Sequence, residues 1–392
     1  MKSDPRSTFH RLAPSPKIPL DISFLVREGQ RRRRIRYMRL AVASLGLVVA
    51  AVLVVPNVAL LGREDDSLPP VQPPTESASR TPSQGGVEDL IVGSIEETQG
   101  STVVGIALRA IDLETGESRR LDVSDFAPGD AQFALVRTGN GFVYACSSGA
   151  CALDETLQGG SRTLGDAWCF APSATEGRVW LAFLDPDSPD TVRSMESVRE
   201  VSLDGEVSVD SPLPPDRWHC PVGAVDQGVL FQDDEGLVVW DAESREVVTR
   251  LPGPVPADTN GSLVAWCEQN CTGGLHLTDI GSGEDIVIEA DDSFQFQETY
   301  DGAFSPDGSL LALHVATGSS QQPRQVALVD VQAKTATLIE GVQIRGPMAW
   351  ASSGDRLFIV VGEGRIAIYD RASGGLHEVS VDVPRIFVMA AR

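Results

Sequence analysis

Six cysteines have the clearest capacity for chemistry in this 392-residue chain, and all lie beyond residue 145. An even number of cysteines can pair as disulfides in an oxidising compartment or, as thiolates, bind zinc. Cys146 and Cys151 form a C-x4-C pattern, and Cys267 and Cys271 form a C-x3-C pattern. Neither has the two-residue spacing usual at zinc sites. The spacing therefore favours disulfides, with zinc as the alternative.

The sequence contains no recognisable catalytic motif. It lacks the G-x-S-x-G elbow of hydrolases, the P-loop, a G-x-G-x-x-G opening a helix and the H-E-x-x-H pair of zinc peptidases. Only five histidines are present among 392 residues. The sequence therefore predicts no catalytic residue, no cofactor and no metal ligand.

Seven aspartates end apolar runs at intervals of 37 to 51 residues. In VVWDAESREVV (238–248), an apolar run and a Trp-Asp pair are followed by a polar turn and a second apolar run. A carboxylate at the end of a strand can accept backbone N–H groups of the following turn. We therefore predict structural turn residues, not seven metal sites. They are Asp112, Asp154, Asp204, Asp241, Asp279, Asp330 and Asp370.

A second strand–turn–strand pattern precedes the aspartate in several repeats. It is clear in AFSPDGSLLALHVA (303–316) and AWASSGDRLFIVVG (349–362). Each repeat thus predicts four antiparallel strands, and the intervals fit the ~40–45 residues of a propeller blade. The predicted fold class is all-β, with residues 89–392 forming a seven-bladed β-propeller of four-stranded antiparallel blades.

The two ends of the propeller sequence are complementary. DLIVGSI (89–95) matches the second strand of a blade and has no first strand before it, whereas RIFVMAAR (385–392) is left over after the seventh repeat. We therefore predict that Arg385–Ala391 supplies the inner strand of the first blade. Truncation at Asp382 would then expose sheet edges and lower stability sharply.

The repeat register narrows the fifteen possible pairings of the six cysteines. Two pairs fall in hairpins between the second and third strands of a blade, within bridging distance. The remaining two cysteines occupy equivalent inner-strand positions in adjacent blades. The predicted disulfides are Cys146 with Cys151, Cys267 with Cys271, and Cys169 with Cys220.

Two tryptophans and a histidine lie close to the inner-strand cysteines. Trp168 precedes Cys169, while Trp218 and His219 precede Cys220. They are candidates for a rim at one mouth of the central channel, and packing between blades is the alternative.

The stretch AFSPDGSLLALHVATG…VALVDVQAKTATL (303–338) resembles the TolB-type and WD-repeat-like bacterial propellers, in which SPDG joins the first two strands of a blade. The Gly-His pair of true WD-repeats occurs nowhere in the chain. The resemblance implies a propeller fold and an interaction platform. It implies no shared catalysis.

Residues 38–61 are predicted to form a single transmembrane helix. The uncharged stretch Leu40–Leu61 would span about 33 Å, enough to cross a bilayer core of ~30 Å. Six arginines between residues 31 and 39 precede it, which places the basic head, residues 1–37, in the cytoplasm. A cleaved signal peptide is the alternative, although its apolar stretch is usually only ~7–15 residues long.

Residues 62–88 hold five prolines and no apolar periodicity, so we predict a Pro/Ser-rich linker between helix and propeller. The resulting topology is single-pass, with the N-terminus cytoplasmic and the propeller outside the cell membrane. The lipid bilayer is then one partner of the chain.

Charge is distributed unevenly along the chain. Residues 1–40 hold eleven basic and three acidic side chains, while the remaining 352 residues hold 21 basic and 52 acidic ones. A body this acidic repels phosphate backbones, so nucleic acid is excluded as a partner.

These features predict a non-enzymatic extracytoplasmic binding or scaffold module, tethered to the membrane and contacting a protein or a cell-envelope ligand. One alternative is a propeller hydrolase or lyase with a channel-centred site, because function lives in sites, not folds. The other is a ligand sensor that signals through the basic head.

Overall fold

A computed structural model describes the chain from Asp89 to Arg392 with gaps. The predicted head (1–37), transmembrane helix (38–61) and linker (62–88) lie outside the described residues. Where residues are described, no helix is long and apolar enough to cross a membrane. The described ranges are 89–99, 102–123, 126–127, 134–139, 141–157, 160–184, 195–213, 220–233, 235–253, 255–268, 271, 274–290, 293–297, 302–317 and 324–392.

The described residues form 29 β-strands. In chain order these are β1 Leu90–Gln99, β2 Thr102–Ile111, β3 Ser118–Arg120, β4 Leu135–Thr138, β5 Gly141–Cys146, β6 Gly149–Asp154, β7 Arg162–Gly165, β8 Cys169–Pro172, β9 Arg178–Leu184, β10 Met195–Ser202, β11 Val207–Pro212, β12 Pro221–Val225, β13 Gly228–Gln232, β14 Leu237–Asp241, β15 Glu246–Leu251, β16 Val255–Asn260, β17 Leu263–Cys267, β18 Leu275–Asp279, β19 Asp285–Ile288, β20 Gln295–Phe296, β21 Ala303–Phe304, β22 Leu310–Ala316, β23 Arg324–Asp330, β24 Thr335–Leu338, β25 Met348–Trp350, β26 Arg356–Gly362, β27 Arg365–Asp370, β28 Leu376–Ser380 and β29 Ile386–Ala391.

These strands form seven antiparallel sheets, which confirms the predicted seven-bladed propeller. In chain order, blade 1 is β29-β1-β2-β3 and blade 2 is β4–β7, followed by blades 3 (β8–β11), 4 (β12–β15), 5 (β16–β19), 6 (β20–β24) and 7 (β25–β28). The innermost strands contact one another around a closed ring, in the order β4, β8, β12, β16, β21, β25, β29 and back to β4.

The chain's C-terminal strand completes blade 1, as the sequence predicted. β29 pairs antiparallel with β1, with Ala391 opposite Leu90 and Met389 opposite Val92. All four side chains are buried, so the closure combines backbone hydrogen bonds with apolar packing.

Blade 6 departs from the predicted four strands because its inner strand is split. β20 pairs with Val315 and Ala316 at one end of β22, and β21 pairs with Leu311 and Ala312 nearer the other end. Phe296 and Phe304 are both buried in the same core cluster. Each short strand therefore contributes one aromatic side chain to the core, and the chain leaves the sheet between them.

Seven hydrophobic clusters fill the space between blades, one at each junction of neighbouring blades. Successive side chains along a strand point to opposite faces of the blade. Both faces are apolar because each is covered by a neighbouring blade. Because neighbouring strands of each blade are antiparallel, the connections that follow the first and third strands of every blade lie at one end of the ring. We call this the aspartate-turn end, and the opposite end the disulfide end.

Candidate functional site

Three disulfides form as predicted, and all lie at the disulfide end of the propeller. Cys146–Cys151 and Cys267–Cys271 each close a connection between second and third strands, with Cα atoms 5.9 and 4.8 Å apart. Cys169–Cys220 joins the starts of the inner strands of blades 3 and 4, with Cα atoms 5.9 Å apart. None of the cysteines in the described residues is free.

Trp168, a predicted channel-rim residue, also lies at the disulfide end. Its side chain is 38% exposed, and its backbone N–H donates to the carbonyl of Ala182 at 2.9 Å. Trp218 and His219 lie outside the described residues. The aromatic rim therefore stays a prediction.

The repeated aspartates lie at the aspartate-turn end. In five of them a carboxylate oxygen accepts a backbone N–H two or three residues further on, at 2.7–2.9 Å. A hydrogen bond from the Ser244 hydroxyl is the main cause that lowers the pKa of Asp241. A hydrogen bond from the Ser373 hydroxyl lowers the pKa of Asp370 in the same way. The five are Asp112, Asp241, Asp279, Asp330 and Asp370.

Asp154 and Asp204 differ from the other five. Asp154 accepts the Thr156 hydroxyl at 2.5 Å. In blade 3, Ser202 ends the third strand, and its hydroxyl accepts the Glu206 N–H at 3.1 Å. Asp204 lies two residues later, 91% exposed, and pairs with Arg162 at 2.8 Å. The assignment of Asp204 as a strand-end turn residue is therefore wrong, because a shorter turn puts a serine in that position.

A cleft of about 550 Å³ opens between blades 3 and 4 at the aspartate-turn end. It extends from the turns beside the inner strands to the outermost strands β11 and β15. Its lining residues are Ser173, Ala174, Thr175, Trp180, Glu200, Val209, Val225, Asp226, Gln227, Gly228, Asp241, Ala242, Glu243 and Val248.

The blade 3 wall of the cleft is a row of three side chains across the sheet. Glu200 on β10 lies opposite both Trp180 on β9 and Val209 on β11. Glu200 is only 8% exposed, and its two carboxylate oxygens accept the hydroxyls of Ser173 and Ser208, each at 2.5 Å. These hydroxyls fix the carboxylate in place without neutralising it.

Among the described residues, Arg178 is the basic side chain that lies near that carboxylate. Its Nη1 lies 4.0 Å from Glu200 Oε2, beyond hydrogen-bond distance, and this buried nitrogen has no hydrogen-bond partner. Arg178 therefore offsets part of the local negative charge without forming a direct salt link.

The blade 4 wall is made by two turns, with Asp226 in one and Asp241 and Glu243 in the other. Gly228 borders the first turn with φ 150°, and a Cβ there would collide with the Trp240 carbonyl oxygen, so the turn requires glycine. Throughout the described part of the chain, no basic side chain forms an ion pair with these three carboxylates.

The cleft and the Cys169–Cys220 disulfide belong to one blade junction but lie at its opposite ends. Between them lies a hydrophobic cluster that includes Trp180, Val198 and Trp240. The two blades are therefore linked covalently at one end and separated at the other.

The cleft combines carboxylates with apolar side chains. Oriented carboxylates beside indole and valine surfaces can hold a cation that carries apolar groups. The described residues include no group of three or more His, Cys, Asp or Glu side chains arranged to hold a metal ion.

One further acidic group lies at an inter-blade contact. Asp258 on β16 accepts the Phe304 N–H of blade 6 at 2.6 Å and the Thr259 N–H at 2.8 Å. Burial, which outweighs these two hydrogen bonds, raises the pKa of Asp258 to about 6.

Sequence reasoning missed the cleft because its walls come from two blades and seven separate segments. One signal was present: Val198, Glu200 and Ser202 alternate on one face of β10, where a core position would be apolar. A glutamate in such a register indicates a buried carboxylate with a specific partner.

Comparison with known proteins gives similarity in overall fold only. No protein-family model matches the chain, and no curated protein matches it. Among solved structures, apo AztD from Citrobacter koseri is 15% identical, with a TM-score of 0.45, covering 78% of this chain and 97% of its own. A protein provisionally named 6-phosphogluconolactonase from Bacteroides uniformis is 18% identical, with a TM-score of 0.46; the match covers 78% of this chain and 100% of that protein. A similarly named protein from Bacteroides fragilis is 16% identical, with a TM-score of 0.44; the match covers 80% of this chain and 100% of that protein.

Proposed function

We propose that this chain is a membrane-anchored bacterial propeller of the WD-repeat-like, TolB-type kind, which binds a protein or cell-envelope ligand outside the cytoplasm without chemical turnover. The observation that carries the proposal is the pairing of every cysteine in the described propeller as a disulfide. Disulfides persist in oxidising compartments and are rare in the cytosol.

The charge pattern supports the same topology. Six arginines beside an apolar stretch of membrane-spanning length favour a cytoplasmic N-terminus, so a single crossing at residues 38–61 exports the propeller. The linker at 62–88 then separates the propeller from the lipid bilayer. The acidic propeller is unsuited to nucleic acid and suited to a neutral or basic partner.

The cleft between blades 3 and 4 supports binding over catalysis. Its polar side chains are carboxylates, hydroxyls and one amide, of which Ser173 binds Glu200 and Asp241 binds its own turn, and no histidine or cysteine is found among the described residues that line it. A hydrolase site needs a nucleophile or water within reach of a base and a group that stabilises developing charge.

In-cell photo-cross-linking tests the proposal. Full-length protein would carry benzoylphenylalanine at Trp168 in one variant and at Thr175 in another, sampling the two ends of the propeller. A photo-cross-linker is required because Lys334 is the only lysine beyond residue 40, so amine-reactive reagents have little to attack.

We expect a discrete adduct with a protein or an envelope component at one or both positions in the membrane fraction. Repeated absence of any adduct at both positions would overturn the binding function. Ser373→benzoylphenylalanine, in an exposed turn of blade 7, is the control for non-specific contact.

A further inference from the structure

We infer that the cleft between blades 3 and 4 binds an arginine or lysine side chain, presented by an extended basic segment of a partner protein. The inference rests on the proposed binding function and names the chemistry of its partner. It requires that the partner contact the aspartate-turn end, which the general proposal does not.

Charge is the first argument for a cationic occupant. Four carboxylates line the cleft, from Glu200, Asp226, Asp241 and Glu243, and among the described residues the one ion pair that reaches any of them is that of Arg178 with Glu200. Glu200 is buried, so its field is less screened by solvent than that of a surface carboxylate. Its two serine donors fix the carboxylate in direction.

The apolar walls are the second argument, because they suit the stem of a long basic side chain. Trp180, Val209, Val225 and Val248 line the same space as the carboxylates. Arginine and lysine bury methylene groups against apolar surface while their charged ends reach polar partners. A bare metal ion would gain nothing from these walls.

The outer mouth of the cleft is the third argument, because it adjoins a free sheet edge. β15 is the outermost strand of blade 4, and its Val247 and Val248 side chains are 40% and 44% exposed. Val248 also lines the cleft. An extended segment that added to β15 would cover these valines and place alternate side chains toward the cleft.

Calorimetric titration of the full chain, solubilised in a neutral detergent, tests the inference. The probe is the peptide acetyl-Val-Arg-Val-Thr-Arg-Val-amide, and its matched control carries citrulline for both arginines, which keeps the shape and removes the charge. We expect the arginine peptide to bind at least tenfold more tightly than the citrulline peptide.

Two variants locate that binding in the cleft. Glu200→Gln removes the buried charge and should weaken arginine-peptide binding at least fivefold. Thr175→Trp, at the exposed mouth of the cleft, should weaken it similarly while leaving every charge in place. Glu340→Gln changes the net charge equally at the exposed disulfide end and should leave binding unchanged.

Equal binding of the arginine and citrulline peptides would overturn the inference. So would a Glu340→Gln effect as large as that of Glu200→Gln, because that result indicates non-specific attraction to an acidic protein. Because Thr175→Trp leaves the Glu200 hydrogen bonds intact, a folding failure of Glu200→Gln does not remove the test. A photo-cross-linked partner together with equal binding of the arginine and citrulline peptides would preserve the proposed function while refuting this site.

Discussion

The junction of blades 7 and 1 and the junction of blades 3 and 4 hold the ring together by different means. At the 7–1 junction the contacts are non-covalent: the Ser352 hydroxyl donates to the Arg392 carbonyl at 3.0 Å, and the Asp382 N–H donates to the Gly116 carbonyl at 3.2 Å. At the second, a disulfide links the blades at one end and a cleft separates them at the other.

The difference lies in how much open space each junction leaves between its two blades. The 7–1 junction combines many non-covalent contacts, and its core cluster includes residues of β29, β1 and blade 7. At the 3–4 junction the blades are separated by the cleft at the aspartate-turn end. The Cys169–Cys220 disulfide joins the same two blades at the other end. An open cleft is thereby compatible with a closed ring.

Removal of the closing strand should have the largest effect. Truncation after Asp382 deletes β29, exposes the edge of β1 and opens the apolar cluster between blades 7 and 1. We expect loss of cooperative thermal unfolding and a strong tendency to aggregate. Deletion of Arg392 alone, which leaves β29 intact, is the control. A truncated protein that melts like the parent would contradict the closure.

Removal of the inter-blade disulfide should have the next largest effect. The double variant Cys169→Ser, Cys220→Ser frees a loop of 51 residues, which corresponds to about 4 kcal/mol of unfolding free energy. The double variant Cys146→Ser, Cys151→Ser opens a loop of only 5 residues, worth about 2 kcal/mol. Urea unfolding of both checks the order.

The disulfide comparison also bears on the cleft. If the covalent bond holds blades 3 and 4 in register, its loss should weaken arginine-peptide binding, whereas loss of Cys146–Cys151 should not. Equal binding by both variants would mean that apolar packing alone positions the walls of the cleft.

A third junction, between blades 5 and 6, should respond to pH. The pKa of Asp258 is about 6 in the folded chain and about 3.9 when unfolded, so the native state holds the proton more tightly. Stability from this group is therefore present below pH 4 and lost as pH rises through 6, by up to about 3 kcal/mol.

The variant Asp258→Asn lacks this titration. Its unfolding free energy relative to the parent should rise between pH 4 and 7 and stay higher at pH 8, as measured by urea unfolding across that range. Asp330→Asn, in an exposed turn, serves as the control. A pH-independent difference between Asp258→Asn and the parent would show that Asp258 titrates normally.

The aspartate turns should give the smallest effects. Asp370→Ala removes hydrogen bonds from the Ser373 N–H and hydroxyl at 2.8 and 2.6 Å, so its unfolding free energy, measured by urea unfolding, should fall slightly below that of the parent. Asp204→Ala removes only an exposed ion pair with Arg162 and should cost well under 1 kcal/mol. Equal losses of unfolding free energy in the two variants would mean that Asp204 stabilises its turn as much as Asp370 does.

The propeller itself was predictable because its evidence is local and repeated. Apolar alternation and a turn recur seven times, so an error in one repeat is corrected by the others. The unmatched strand at 385–392 predicted closure, and the register of the second and third strands predicted the hairpin disulfides. Each prediction needed only the position of a residue within its blade.

The cleft was not predictable because it depends on how two blades pack. Glu200 and Asp226 belong to different sheets, and their proximity follows from inter-blade spacing that no local pattern encodes. The split strand of blade 6 and the serine at the end of β10 are single departures from the repeat. A repeat pattern cannot predict its own exceptions.

We propose that the oxidised propeller remains attached to a membrane segment outside the cytoplasm. The most direct test is the intact mass of protein purified from the membrane fraction, denatured and alkylated without reductant. We expect the full-chain mass near 41.8 kDa, reduced by six hydrogens and carrying no alkyl group. Six alkyl additions, or a mass lacking the first ~60 residues as expected after signal-peptide cleavage, would contradict the account.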